Sequence, residues 1–232
     1  MELTEGEFGG RTGIWRVFDV CSRHDITLTV FTPGRICDLY PGALVEATRR
    51  GFELADHTWE HRVPAERDLQ RDHLVRTKDA LTALSGVAPV GHRGGYSITD
   101  LADNGFTYES LSNADDLPYL AIHHGRTIVC LPTAELLDDA MYWKFGWAGS
   151  EPAGQRITDV ETVEEIWLES FREVHERGGY MNLVLHDLMA GRAARAMMLD
   201  RLFAEMRRAG GVWFPSCREV AAHVLAHHRS ED

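Results

Sequence analysis

The sequence predicts an α/β fold built on a mostly parallel sheet, open or closed into a barrel, and three observations predict it. Short β-branched runs alternate with amphipathic helical stretches along the chain, the order that builds a parallel sheet covered by helices. Helix-start signals stand where that alternation needs them, since Thr158-Asp159-Val160-Glu161 and Ser216-Cys217-Arg218-Glu219 both read as capping boxes. Reactive polar side chains follow the apolar runs, the position that carboxyl ends of strands give to functional groups in such folds.

In chain order, Gly13 to His24 is the first helix, burying Ile14, Val17, Phe18 and Cys21 at helical spacing. Ile26-Thr27-Leu28-Thr29-Val30-Phe31 reads as a buried strand. Phe52 to Ala55 is a second strand, Pro89-Val90-Gly91-His92 a third, Phe106-Thr107-Tyr108 a fourth and Thr127-Ile128-Val129-Cys130-Leu131 a fifth. Between the second and third, Pro64 to Leu84 reads as a helix opened by a proline, which a first turn tolerates, with Leu74, Leu81 and Leu84 inward. Leu136 to Pro152, with Tyr142, Trp143, Phe145 and Trp147, reads as a long aromatic loop over one end of the sheet. The helix opened at Thr158 closes at Gly178-Gly179. Tyr180-Met181-Asn182-Leu183-Val184-Leu185 is the strongest strand signal and Val212-Trp213-Phe214 the last, before a helix from Ser216. No repeat, low-complexity segment or linker interrupts the pattern, so residues 1–232 read as one domain.

Composition narrows the function classes. Hydrophobic residues make up 44% and charged residues 26%, enough for a substantial core. A net charge of −12 opposes a nucleic-acid partner or an anionic membrane surface, both of which call for clustered Lys and Arg. Cys21, Cys37, Cys130 and Cys217 lie far apart with no C-x-x-C, as isolated thiols of a reducing compartment do. Met1 to Gly6 lacks the basic and apolar regions of a signal peptide, and no apolar run approaches the ~18 residues of a membrane span. The expectation is a cytoplasmic protein acting on a small molecule, with no nucleic-acid or membrane partner, assembled as a homo-oligomer.

His57-Thr58-Trp59-Glu60-His61 carries the sharpest chemical signal. A helical turn from His57 would point both imidazoles the same way, toward one divalent ion. With 12 histidines in 232 residues, such a pair arises by chance about 0.6 times per chain, so spacing alone proves little. His223 and His227 repeat the spacing on a polar helix and read as a solvated face. What raises His57 is its place after a strand, shared by Arg93, by Glu109 and by His186 with Asp187. The bland alternatives are a hydrogen-bonded turn at His57, a surface ion pair at Arg93 and a structural pair at His186-Asp187. The Trp143 aromatics read as packing, and Asp115-Asp116 and Asp138-Asp139 as loop and turn carboxylates with a supporting role open. The segment also fits H-x-x-E-H, with Glu60 as base, but that motif needs a regular helix and Pro64 follows closely.

These segments resemble the polysaccharide deacetylase (NodB-homology, carbohydrate esterase 4) family, most closely its peptidoglycan-deacetylase-like and allantoinase-like cytoplasmic branch. Gly51 to His61 resembles the second motif, Glu7-Phe8-Gly9-Gly10-Arg11-Thr12-Gly13 the segment before the first helix, and Pro89 to Arg93 the third motif. Leu183 to Asp187 with Gly191-Arg192 resembles the last motif, and Val212 to Phe214 the ending. The resemblance implies a distorted (β/α) barrel of the NodB type that hydrolyses C–N bonds other than peptide bonds, in N-acetylated sugars or amines or in cyclic amides and ureides. It implies a divalent metal, zinc being the expected ion, held by His57 and His61. Arg93 would orient a catalytic carboxylate, and His186 would act as general acid.

The departures are specific. The family's first motif, an aspartate pair or Asp-x-Asp on the first strand, supplies the base and the third metal ligand and has no counterpart before Glu7. Asp19 falls in the first helix instead. Arg-Ser-Pro is here Arg93-Gly94-Gly95, and His-Pro is His186-Asp187. Either the true start lies upstream, or the metal site is altered. Asp187 and Glu109 are the local substitutes for the missing base. The rival reading is a repurposed relative that binds a ligand or partner, or works without metal.

Overall fold

The computed structural model describes residues 2–144 and 158–228. A helix α1 (Glu2–Phe8) runs through a π-helical stretch, Gly9–Gly13, into α2 (Ile14–Arg23). There follow β1 (Thr29–Thr32), α3 (Ile36–Leu39), α4 (Pro41–Arg49), β2 (Glu53–Asp56), α5 (Arg67–Ser85), β3 (Gly91–His92), α6 (Ile98–Asp103), β4 (Tyr108–Glu109), β5 (Tyr119–His123) and β6 (Arg126–Cys130). After a 3₁₀ turn come α7 (Asp139–Trp143), α8 (Val160–Arg177), α9 (Asp187–Ala190), α10 (Ala193–Ala209) and α11 (Cys217–His228). The chain forms two compact units, Met1–Ile26 with Thr133–Phe214, and Thr27–Pro132 with Pro215–Asp232.

The second unit holds the sheet, ordered β1-β2-β3-β4-β6-β5. The pairs from β1 to β6 are parallel, and β5 joins antiparallel as the edge. All four residues of β2 are buried, as a central parallel strand requires. Leu74 and Leu81 of α5 are fully buried, and Leu74 packs in one cluster with Tyr96, Leu101, Phe106 and Ile128. Glu53, buried at the amino end of β2, accepts from the Thr29 and Tyr108 hydroxyls and from the Arg218 backbone N–H, so its charge is met inside the fold. The capping box at Ser216 is realised: Ser216 N–H donates to Glu219 Oε2 at 2.7 Å and Glu219 N–H to Ser216 Oγ at 3.3 Å.

The first unit packs helices. Trp167 on α8 is fully buried and its Nε1–H donates to the Leu136 carbonyl at 2.8 Å. Asp159 caps α8 by accepting from Thr162 N–H, and Gly178, at φ 64°, ends it in the left-handed region. The π-helical stretch lets backbone meet backbone: a Cβ on Gly13 would lie 2.1 Å from the Asp187 carbonyl oxygen. Arg16 donates to the Gly191 carbonyl at 3.1 Å across the same contact.

Several sequence expectations change. Tyr180 to Leu185 forms a single bridge, Val184 to Asp138, rather than a strand, and Val212 to Phe214 pairs with no strand among the described residues. Both stretches have strand composition, but a ladder needs a neighbouring strand to close it. The edge strand β5 was not expected, because its exposed residues, such as Ile122 at 71%, break the buried-strand pattern. The expected aromatic loop begins instead with the 3₁₀ turn and α7, capped by Asp138 through Ala140 N–H at 2.8 Å. Its remainder, with Phe145 and Trp147, lies outside the described residues. Glu7 to Gly13, expected before the first helix, is itself helical.

Candidate functional site

In the sheet unit, His57 and Arg93 follow the carboxyl ends of β2 and β3, the edge at which parallel folds bind ligands. His57 to His61 is not helical. Thr58 (φ 65°) and His61 (φ 56°) are both left-handed, a conformation unfavourable for a β-branched residue such as Thr58. The surroundings hold it. Thr58 and Trp59 carbonyls accept from the Gly34 and Arg35 N–H groups at 2.9 and 3.1 Å, and the Arg76 guanidinium covers the buried Trp59 ring at 3.8 Å. The turn brings the His57 and His61 ring centroids to 4.4 Å, edge to face.

His57 Nδ1–H donates to the Arg93 carbonyl at 2.6 Å. That bond fixes the tautomer and leaves Nε2 as the lone-pair nitrogen, the arrangement found in metal-ligating imidazoles. Burial, resisted by the Arg93 carbonyl, pushes the His57 pKa down to about 3, so the ring is neutral at physiological pH. Zn–N bonds of about 2.1 Å place two ligating rings with centroids about 5 Å apart, close to the spacing here, so His57 and His61 are suited as two donors to one ion. No cluster of three His, Cys, Asp or Glu ligand atoms forms around them among the described residues. Glu60 is exposed and ion-pairs with Arg35 at 2.6 Å, which removes the geometry the H-x-x-E-H reading needs.

Arg93 lays its guanidinium 4.9 Å from the Phe31 ring centroid and donates to Ser110 Oγ at 3.0 Å. Glu109 accepts from the Leu111 and Ser112 N–H groups and anchors the loop after β4. A cavity of about 320 Å³, lined by His92, Tyr96, Glu109, Ser112 and Cys130 among others, opens beside these strand ends. Burial pushes the Cys130 thiol up to about 11 and Cys21 up to about 12, which makes both poor nucleophiles.

Two residues at this edge were not expected at all. Asp56 and His92 are opposite one another in register, both buried, and His92 Nδ1–H donates to Asp56 Oδ2.

The helical unit holds a separate cluster. Asp138, Asp139 and His186 bring one ligand atom each within 4.8 Å of the others. Asp139 is completely buried and accepts from the His186 backbone N–H at 3.0 Å and from His186 Nδ1 at 2.7 Å. Both carboxylate oxygens of Asp139 are therefore spent on one histidine, and Asp138 on capping α7. This is the geometry of an imidazole oriented for proton transfer, its side chain 34% exposed, more than of a cation cage. Asp187, beside it, accepts from Leu188 N–H at 2.7 Å and presses against Gly9, whose added Cβ would lie 2.6 Å from Oδ2. Its carboxylate is thus committed to packing. His223 and His227 are exposed on α11, as expected.

A family model for polysaccharide deacetylases matches residues 7–104. A polysaccharide deacetylase, so assigned, from Mycobacterium smegmatis superposes with a TM-score of 0.88 at 28% identity, covering 97% of this chain and 81% of that one. The chain is similar to polysaccharide deacetylases in sequence over residues 7–104 and in fold. A Puue allantoinase superposes with a TM-score of 0.85 at 23% identity, covering 97% of this chain and 76% of the other. The peptidoglycan deacetylase of Helicobacter pylori is 21% identical over 97% of this chain and 87% of its own length. The expected fold class, the distorted α/β barrel type of the NodB deacetylases, is the one these structures share. These relatives, polysaccharide and peptidoglycan deacetylases and an allantoinase, are amidohydrolases that cleave C–N bonds.

Asp139, expected as a turn carboxylate with a supporting role open, takes that supporting role by holding His186. The available signal was its place in an Asp-Asp pair before an aromatic run, which composition alone reads as a turn.

Proposed function

We propose that this polysaccharide deacetylase relative is a metal-dependent hydrolase of small amides, acting on an N-acetylated sugar or amine or on a cyclic amide or ureide. The observation that carries the reading is the His57 ring, neutral, with Nδ1 committed to the Arg93 carbonyl and the His61 ring 4.4 Å away. His57 and His61 would hold the ion, with zinc the expected occupant. Such an ion polarises the amide carbonyl and makes water acidic enough to serve as nucleophile near neutral pH. The resemblance gives His186, held by Asp139, the role of general acid: its Nε2 proton would go to the leaving nitrogen as the C–N bond breaks, so that the amine departs neutral. Asp139 keeps Nδ1 protonated and balances the imidazolium before that delivery. Arg93 fixes the carbonyl that orients His57.

Metal analysis of the purified protein, with a hydrolysis screen on N-acetyl sugars, acetylated amines, cyclic imides and ureides, tests this. His57→Ala should lose the bound metal and at least about a thousandfold of the activity, as removal of a Lewis acid does. Full activity after the metal is stripped overturns it.

A further inference from the structure

The β2–β3 junction is short. Its register rests on one residue pair, Asp56 opposite His92, with Arg93 N–H donating to the Asp56 carbonyl at 2.9 Å. The same two residues join through their side chains, Asp56 Oδ2 to His92 Nδ1, in a place where His92 keeps 1% of its surface and Asp56 none. Tyr96 stacks on the His92 ring at 4.8 Å and closes it off. From the other side, Gly94 lies at φ 150°, and a Cβ there would meet Thr58 Cγ2 at 2.7 Å and His92 Cε1 at 3.1 Å. A glycine therefore stands where the ring needs room.

We infer that the Asp56–His92 pair is a positioning device that sets the register in which His57 Nδ1 meets the Arg93 carbonyl. The argument is one of satisfaction. A buried carboxylate and a buried imidazole are costly unless they face each other. Asp56 meets His92 and the Thr58 N–H through Oδ2 alone, Oδ1 having no hydrogen-bond partner among the described residues, so the one register that joins the pair is the one that offsets its burial. A slip by one residue would turn both side chains to opposite faces of the sheet. It would also carry the carbonyl of Arg93 away from His57. Since each ligand candidate or its orienting group is one residue beyond the pair (His57 after Asp56, Arg93 after His92), an error at the pair is passed on directly. Specifying register is the best-attested use of a buried polar pair. The pair is a positioning element because its bonds go to backbone and to each other: Asp56 Oδ2 accepts from His92 Nδ1–H and from the Thr58 N–H at 3.2 Å, in the turn that carries His57.

The inference rests on the proposal that His57 and His61 hold a divalent ion, and the test separates the two. Zinc affinity would be measured by competition with a chromophoric chelator, and the melting of the zinc-free protein recorded beside it. The double variant Asp56→Ala/His92→Phe removes the pair while keeping an aromatic ring under Tyr96. It should melt close to the wild type yet bind zinc about tenfold or more weakly, the usual penalty for losing support behind a ligating histidine. His92→Asn, which keeps a donor for Asp56, should recover most of that loss. A folded double variant with wild-type zinc affinity overturns the inference. If the double variant does not fold, Gly94→Ala crowds the ring without removing either charge, and wild-type affinity in that variant overturns it equally. A wild-type protein that binds no zinc at all sinks the metal proposal itself.

Discussion

Asp139–His186 and Asp56–His92 are the same chemical pair in two settings. Both carboxylates have no exposed surface, but His186 retains 34% of its side-chain exposure and His92 1%. In the helical unit both oxygens of the carboxylate are used by one histidine. In the sheet unit Asp56 Oδ1 has no hydrogen-bond partner, and its charge together with burial holds the Tyr96 phenol above its ordinary value of 10.0. A pair with an open imidazole face can exchange protons with a substrate, whereas a sealed pair can only hold its neighbours in place. Exposure, rather than residue identity, separates a reactive dyad from a positioning one.

The comparison can be broken most sharply at the open pair. Asp139→Asn should lower kcat by about 10²–10⁴-fold, because the imidazolium that donates from Nε2 loses the carboxylate that orients it and balances its charge. Zinc content should not change. Stability should move the other way with pH. Burial holds the Asp139 carboxyl above its ordinary 3.8, against the pull of His186. A carboxyl raised on folding contributes fully below 3.8 and loses that contribution as pH rises through the raised value. The variant has no such loss, so its stability relative to the wild type should climb with pH over the acidic range, read by denaturant melts. A variant whose relative stability falls over that range would contradict the assignment.

At the sealed pair the larger effect falls on stability. His92→Ala leaves an uncompensated buried carboxylate and should cost about 3–5 kcal/mol in urea unfolding. His186→Ala, at the open pair, should cost markedly less stability and far more activity. Similar losses from the two variants would erase the distinction drawn from exposure. The smallest effect is expected at Glu60. Glu60→Gln should leave activity within about twofold and stability within about 1 kcal/mol, since it breaks only an exposed ion pair with Arg35. A large fall in activity would restore it as a base.

Much of the sheet was legible because β1, β2, β4 and β6 are short apolar runs with turn residues at both ends. The cap at Ser216 was legible because capping is local chemistry, whereas at α8 the box expected from Thr158 to Glu161 gives way to Asp159, which accepts from Thr162 N–H one residue later. Tyr180 to Leu185 misled because strand composition says nothing about whether a partner exists. The His57–His61 pair was found by spacing, yet the spacing acts through a left-handed turn and not through a helix. Asp56 and His92 left no trace in the sequence pattern. They lie 36 residues apart and meet only once the sheet sets their register. Asp139 was visible as a turn carboxylate, but its partner was not, since His186 is 47 residues away.

The contact between Arg16 and the Gly191 carbonyl joins residues 175 apart in the chain. On a ribosome adding about 5–20 residues per second, the helix bearing Arg16 emerges roughly 10–35 s before the residues it docks against. Its buried face, Val17, Phe18, Val20 and Cys21, has no native cover in that interval. The apolar face of α2 is therefore exposed to premature association until the residues around Gly191 have been made.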